Sequence, residues 1–384
     1  MEYMAKNIPL WQITTWDKNF NNVDKEWQPK TIKYKYLLSD ELDSLRVDDG
    51  DIRILYTGKD VGYTTEELAG DNISEGEVVS IPWGGIPTVK YHKGKFVTGD
   101  NRIATSNDTS KLTNKYLYYY LQGNIGEIAS YYRGASLKHP CMKDVLKMTI
   151  SYPSVQEQEK ICSQFDMLEW LIEARKQELQ LLDDLIKARF VEMFGDSASN
   201  EKGWKMNTFG DICTVRQGLQ IPISKRLTEY EEDSYEYITV QYLHGGKEKE
   251  YIKSPKESVK CTKDDILMTR TGNTGMVVTN VEGVFHNNFF LIDFDRERFE
   301  KDFLVEYLNL DLIQADITRR AGTSTIPDLN HGEFYKIKVF EPPIDLQKEF
   351  DEFKMQVDKS KVAVQKALDE TQTLFDSLMQ EYFG

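Results

Sequence analysis

The chain has 384 residues, 40% hydrophobic and 29% charged, enough for two or three domains of about 150 residues each. Its charges are interspersed, which excludes wholesale disorder. No apolar run approaches the roughly 18 residues of a membrane span, and residues 1–6 lack the apolar core of a secretory signal. The net charge of −15 is unevenly placed: −1 in residues 1–150, −5 in 151–200, −5 in 201–343 and −4 in 344–384, so the two long segments are close to balanced and can still carry local basic faces.

In chain order, residues 1–152 form a mixed segment of short alternating stretches, aromatics and glycine-rich turns. Gly94–Thr98 reads as strand and Asn114–Gly123 as helix. Pro153 marks a boundary, and a long helical pattern follows over 153–196, from about Val155 to Phe194, about 60 Å at 1.5 Å per residue. Residues 197–341 repeat the mixed grammar. Met276–Val278 is expected as strand, Lys301–Asp316 as one helix, and Thr271-Gly272-Asn273-Thr274-Gly275 as a hairpin turn. After Pro342-Pro343 a second helical pattern runs over 344–384, so the fourth segment is 342–384.

The two halves are one unit written twice. At an offset of 189, Pro153, Gln158, Ala174, Leu179, Leu185, Phe194 and Gly195 meet Pro342, Gln347, Ala363, Leu368, Leu374, Phe383 and Gly384. Upstream, offsets of 188 and 187 align Gly84 with Gly272, Leu117 with Leu304, Tyr120 with Tyr307 and Arg133 with Arg320. In the first helix Leu168, Ile172, Leu179, Leu182, Ile186 and Met193 recur at alternating steps of four and three, with Arg175 and Arg189 in the remaining slots. In the second the same phase holds Val357, Val364, Leu368, Phe375, Leu378 and Tyr382, with Lys361 and Thr371 as exceptions. Two long heptad stripes of one phase are expected to pair as a coiled coil. The fold class expected is α+β: two similar mixed α/β domains separated by two long helices that pair as a coiled coil.

Motifs for chemistry are missing. There is no dinucleotide or P-loop glycine pattern, no H-E-x-x-H, no G-x-S-x-G, and Glu341-Pro342-Pro343-Ile344 is wrong at both ends for an amino-methyltransferase loop. The four cysteines, 21, 51 and 48 residues apart, and the five histidines have no metal-ligand spacing; reduced thiols in the cytoplasm are expected. No catalytic and no metal residue is therefore assigned.

What remains is a bipartite reader. Each mixed segment offers side chains of the kinds used on base edges and phosphates, next to glycines. In the first half these are Trp83, Lys90, Lys93, Lys95, Asn101, Arg102, Arg133, Ser136 and Lys138. In the second they are Arg216, Lys225, Arg226, Arg270, Asn273, Thr274, Asn287, Arg319, Arg320, Thr323 and Ser324. Arg133-Gly134-Ala135-Ser136 and Arg319-Arg320-Ala321-Gly322-Thr323-Ser324 are the best-supported pair, because both halves keep it. A duplicated coiled-coil protein adaptor without DNA binding fits the acidic total acceptably and stays open here.

Over nearly its full length the chain resembles the specificity (S) subunits of Type I restriction-modification systems. The residues that carry the resemblance are Gly203-Trp204 followed by Phe209-Gly210-Asp211-Ile212, then Gly322-Thr323-Ser324, then Phe340-Glu341-Pro342-Pro343-Ile344-Asp345-Leu346-Gln347 opening the helix. The first half departs: Tyr152-Pro153-Ser154 has one proline, and Ile8-Pro9-Leu10-Trp11 lacks the Gly-Asp signature. The resemblance implies a non-catalytic subunit in which each mixed domain reads one half of a split double-stranded DNA site and the two helices form an antiparallel coiled coil that sets the gap. It also implies two adenine-methylating (M) subunits and restriction (R) subunits as partners, no membrane, and no cofactor on this chain; S-adenosylmethionine, ATP and Mg²⁺ would sit on the partners. An S-like subunit of a Type IIB/IIG system is an alternative that residues alone do not separate.

Overall fold

The computed structural model describes residues 5–18, 31–58, 61–243, 245, 248–322 and 327–384. The chain folds into two compact units. One comprises residues 1–176 with 366–384, the other residues 177–365, so each unit takes one mixed segment and half of each long helix.

The two mixed segments are built on one plan. In the first, strand Ala5–Pro9 runs into the short helix Leu10–Ile13 and strand Thr14–Trp16. In the second, strand Lys205–Thr208 runs into Phe209–Ile212 and strand Cys213–Gln217. The opening strand pairs antiparallel with the last strand of its segment, Thr149–Tyr152 in one case and Lys338–Glu341 in the other. The sheet that follows has the same core order. Thr14–Trp16, Asn101–Ser106 and Ser74–Pro82 correspond to Cys213–Gln217, Phe289–Phe294 and Ile266–Thr269.

The halves diverge at the next strand. In the first unit Lys90–Thr98 is one continuous strand that carries the sheet on to six strands. In the second its counterpart is split into Val277–Val278 and Gly283–Phe285, and the latter joins a separate four-stranded sheet. Gly283, at φ 151°, permits the break, since a Cβ there would fall 2.2 Å from the Glu236 carbonyl oxygen. The helix Asn114–Gly123 forms as expected, while the single helix expected over Lys301–Asp316 is two, Lys301–Asn309 and Asp311–Ala321. Leu310 stands between them in extended conformation (φ −61°, ψ 137°), a break that the apolar spacing does not register. The turn at 271–275 connects antiparallel strands as anticipated, with Gly272 and Gly275 at positive φ.

Both long helices, Val155–Phe194 and Ile344–Phe383, span 40 residues. They pack antiparallel. In the first unit Phe165, near the start of one, packs edge-on to Phe375 and tilted against Phe383, near the end of the other. In the second unit Phe190 and Phe194 pack on Phe350. Burial is deepest at these aromatic ends, while Leu179, Leu182, Val364 and Leu368 are only half-buried. The polar seam residues have defined partners: Arg189 pairs with Glu349 at 3.1 Å, Lys361 with Asp183 at 2.5 Å, and Thr371 donates to the Ala367 carbonyl of its own helix at 2.6 Å. Arg175 differs, its Nε being buried with no hydrogen-bond partner among the described residues.

Gln158 and Gln347 explain why the repeat keeps a glutamine five residues into each helical segment. Both are buried. Gln158 Oε1 accepts from Thr113 N–H (2.9 Å), and its Nε2 donates to the carbonyls of Lys111 (2.7 Å) and Pro153 (2.9 Å). Gln347 Oε1 accepts from Glu300 N–H (2.9 Å), and its Nε2 donates to the carbonyls of Arg298 (3.0 Å) and Pro342 (2.9 Å). Each amide thereby pins the start of its helix to the loop entering the domain's first aromatic-rich helix, satisfying backbone groups that burial would otherwise leave unpaired.

Candidate nucleic-acid interface

In each unit a turn after the strand Ser74–Pro82, or its counterpart Ile266–Thr269, meets the segment that precedes a short helix. Around that meeting point a polar cluster forms.

In the first unit the turn is Trp83-Gly84-Gly85. Gly85 N–H donates to the Lys138 carbonyl (3.2 Å), and His139 Nδ1 lies 2.7 Å from the Trp83 carbonyl oxygen, with the two rings 5.2 Å apart. Beneath Trp83 lies the Arg102 guanidinium, 4.3 Å from the ring centroid. Arg102 is 1% exposed and is bound by Asp17 at 3.2 Å and Asp100 at 2.6 Å. Asp17 accepts from Tyr36 Oη and from Ile103 N–H at 3.1 Å. Burial pushes its carboxyl above the usual range against the opposing pull of Tyr36 and Arg102. Asn101 is also buried, donating to the Leu55 carbonyl at 2.8 Å and Thr98 Oγ1 at 3.2 Å. The expectation that Asn101 and Arg102 are surface contacts is therefore corrected: they hold the turn from inside. Trp83 is half-buried over them and lines an open 490 Å³ cavity with Leu38, Tyr56, Asp100, Leu137 and His139.

Arg133, Ser136 and Lys138 lie exposed on the hairpin that reaches the Trp83 turn, and Arg133 donates to the Ser130 and Tyr132 carbonyls. Lys90 is half-buried and donates to the Tyr56 carbonyl. Lys93 and Lys95 are exposed on the same strand, each beside a carboxylate: Glu77 at 3.4 Å and Glu66 at 3.0 Å. These two do not join the turn cluster.

In the second unit the centre is Arg270. Its guanidinium grips Asp328 through Nε (2.8 Å) and Nη2 (2.6 Å) and donates to Gln217 Oε1 at 3.2 Å. Gln217 Nε2 donates to the carbonyls of Asn287 (2.5 Å) and Phe289 (3.1 Å), and its Oε1 lies 2.8 Å from His331 Nε2. Burial and the Arg270 charge hold His331 below the usual imidazole range, and because the amide oxygen opposite can only accept, His331 donates through Nε2. The Arg270 guanidinium holds Asp328 below the carboxylate range. Thr274 donates to the carbonyls of Arg270 and Pro327, Asn273 is exposed at the turn tip, and Asn287 Oδ1 is buried without a hydrogen-bond partner among the described residues.

Other expected contacts scatter. Arg216 is half-buried, donating to the Ser258 carbonyl at 3.2 Å. Lys225 is exposed, whereas Arg226 turns inward to Glu250 at 3.0 Å. Arg319 is exposed beside Asp316, and Arg320 bridges Asp316 (2.7 Å) and Glu333 (3.2 Å). Thr323 and Ser324 lie outside the described residues. The arginine shared by the halves thus serves differently: Arg133 binds carbonyls and Arg320 binds carboxylates. Asp328 went unrecognised in the sequence, where it is one carboxylate among 63 Asp and Glu and acquires meaning only from its distance to Arg270. Among the described residues, no group of three His, Cys, Asp or Glu side chains is placed to hold a metal ion, and no helix is long and apolar enough to cross a membrane. Burial pushes the thiols of Cys162, Cys213 and Cys261 up to about 12.

Curated relatives from Methanocaldococcus jannaschii are the Type I restriction enzyme MjaIX specificity subunit, 28% identical over 155 residues, and the MjaVIII specificity subunit, 22% identical over 161. These matches span 35% and 42% of this chain and only about a third of each relative (35% and 36%). In fold, the chain is similar over its whole length to the crystal structure of the Type I restriction-modification S subunit from M. genitalium, at a TM-score of 0.65 and 17% identity, covering 96% of that chain. It is also similar to a chain from a structure on complex assembly and conformational transition of the type I R-M system, with TM-score 0.52, 15% identity, and 89% and 96% of the two chains covered. Residues 31–183 and 201–371 each match the Type I restriction modification DNA specificity domain, and with two copies spanning most of its length the chain belongs to that family.

Proposed function

We propose that this chain is the sequence-recognition subunit of a Type I restriction-modification complex. Each unit reads one half of a bipartite, gapped site in double-stranded DNA, and methyltransferase and restriction subunits are directed to it. The observation that carries this reading is the contrast between conserved anchoring and divergent tips. The Gln158 and Gln347 anchors match bond for bond, while the equivalent turns present an aromatic cavity over Arg102 in one unit and an Arg270–Asp328–Gln217–His331 network in the other. Two readers of different sequences share a scaffold and differ at the contacting loops. Catalysis and its cofactors belong, on this reading, to the partners, for which the acidic long helices are a natural docking surface away from DNA phosphates.

Single-molecule methylation mapping of the host genome, with the gene intact and deleted, tests the proposal. Loss of one split N6-methyladenine motif on deletion is expected. An unchanged methylome beside an active M subunit would overturn it. If the long helices set the gap, adding one heptad to both lengthens the spacer by about 10 Å, roughly 3 bp, and an unchanged spacer rejects the ruler.

A further inference from the structure

After strand Cys213–Gln217 the chain forms a loop, residues 218–226, before Leu227 bridges to Tyr251. Its backbone is fixed from below. Gly218 N–H and Leu219 N–H donate to the carbonyls of Phe289 and Phe285, each at 3.1 Å. Ile221 N–H donates to Tyr237 Oη at 3.1 Å, and that hydroxyl donates to the Leu219 carbonyl at 2.8 Å. Arg226 closes the loop, with Nε and Nη2 donating to the Ile221 carbonyl at 2.9 and 2.7 Å and Nη1 held by Glu250 at 3.0 Å. Its guanidinium lies 5.0 Å from the centroid of the buried Tyr237 ring. Gly218 is required for this seat, because a Cβ there would stand 2.2 Å from the His286 carbonyl oxygen.

Above this brace the tip serves no internal packing. Ile223 is 74% exposed, and Gln220, Ser224 and Lys225 are exposed as well. None of those three polar side chains has a hydrogen-bond or ion-pair partner among the described residues. A surface isoleucine beside an amide and a cation, on a loop held by a buried tyrosine and a half-buried arginine and glutamate, is an expensive arrangement if nothing is recognised.

We propose that residues 218–225 form a preformed base-reading loop of the second unit and that Arg226 is its positioning residue. The proposal rests on the DNA-recognition reading above and names the part of this unit that carries specificity. The chemistry suits a groove edge. An amide is bidentate to adenine, an ammonium meets guanine or phosphate, and an aliphatic side chain meets the thymine methyl. A loop already rigid loses little conformational entropy on binding, so its contacts discriminate rather than offset ordering. Gln217, at the root of the loop, is also a member of the Arg270 network, so loop and network form one continuous recognition end.

The test measures methylation rates of the complete complex, this chain with its M subunits, on duplexes carrying single-base changes across both half-sites. Gln220→Ala and Lys225→Ala, both at the exposed tip, are expected to relax discrimination about tenfold at one or two positions of one half-site, leaving the other half-site read as before. Arg226→Ala is expected to relax the same half-site, with Arg226→Lys restoring part of it. A wild-type profile at every position in the tip variants overturns the proposal, as does uniform loss of methylation on all duplexes by a folded, assembled complex. Failure of the parent reading looks different: the wild-type complex itself would prefer no split motif.

Discussion

The two units hold their loops up by different means, and the difference separates scaffold from readout. In the first, the support is an ion pair sealed under an aromatic ring: Arg102 with Asp17, both essentially without exposure, beneath Trp83. In the second, the equivalent turn is held by Arg270 on Asp328, whose side chain remains 43% exposed, with His331 and Gln217 completing the network at the surface. A buried charge whose partner is removed is strongly destabilising, whereas a half-solvated pair contributes little to stability. The first arrangement is therefore a foundation, and the second is available to a ligand.

The largest effect expected from this comparison is at Arg102. Arg102→Met leaves Asp17 buried without its guanidinium partner and should destabilise the first unit by about 3–5 kcal/mol, read as lost hydrogen-exchange protection there. A loss below about 1 kcal/mol would erase the distinction between the units. Next come the glutamines. Gln158→Leu and Gln347→Leu each strand three backbone groups, and each should cost its own unit about 2–3 kcal/mol. Near-equal losses in denaturant unfolding would sharpen the claim that the anchors are the invariant part, and a marked inequality would break it.

A smaller asymmetry is pH-dependent. Asp351 occupies the place that Cys162 holds in the first repeat. Burial, with Asp302 and Glu300 nearby, pushes its carboxyl up to about 7, against Lys354 and Lys301. The folded state then holds a proton that the unfolded state has released above about 4, so this group's contribution to stability falls as pH rises from about 4 to about 7. Asp351→Asn should remove that slope and stabilise the second unit by on the order of 1 kcal/mol at pH 8, with no gain at pH 4 in thermal unfolding. The smallest stability change is expected at Arg270. Arg270→Met should cost less than about 1 kcal/mol while altering base discrimination in one half-site. Substantial unfolding instead would assign Arg270 to the foundation.

Much of the architecture is written in local pattern. The heptad stripe placed Val155–Phe194, and the offset of 189 aligned Gln158 with Gln347, because a helix shows its buried face at fixed spacing and a duplication preserves it. The fate of individual cations was not legible. Arg102 and Lys93 look alike in sequence, yet one is sealed beneath Trp83 and the other is solvated beside Glu77. Lys225 and Arg226 are adjacent, yet only one faces out. The helix break at Leu310 was invisible for a related reason: apolar spacing runs straight through it.

By itself, then, the sequence determined the duplication, the α+β class, the two long paired helices and the family, all of which follow from periodicity and from residues repeated at one offset. Only the tertiary structure decided which polar residues are foundation and which are free to meet a ligand. That choice depends on distances between segments far apart in the chain. Asp17 to Arg102 and Arg270 to Asp328 are such pairs, and burial, not residue type, sets what a charge can do.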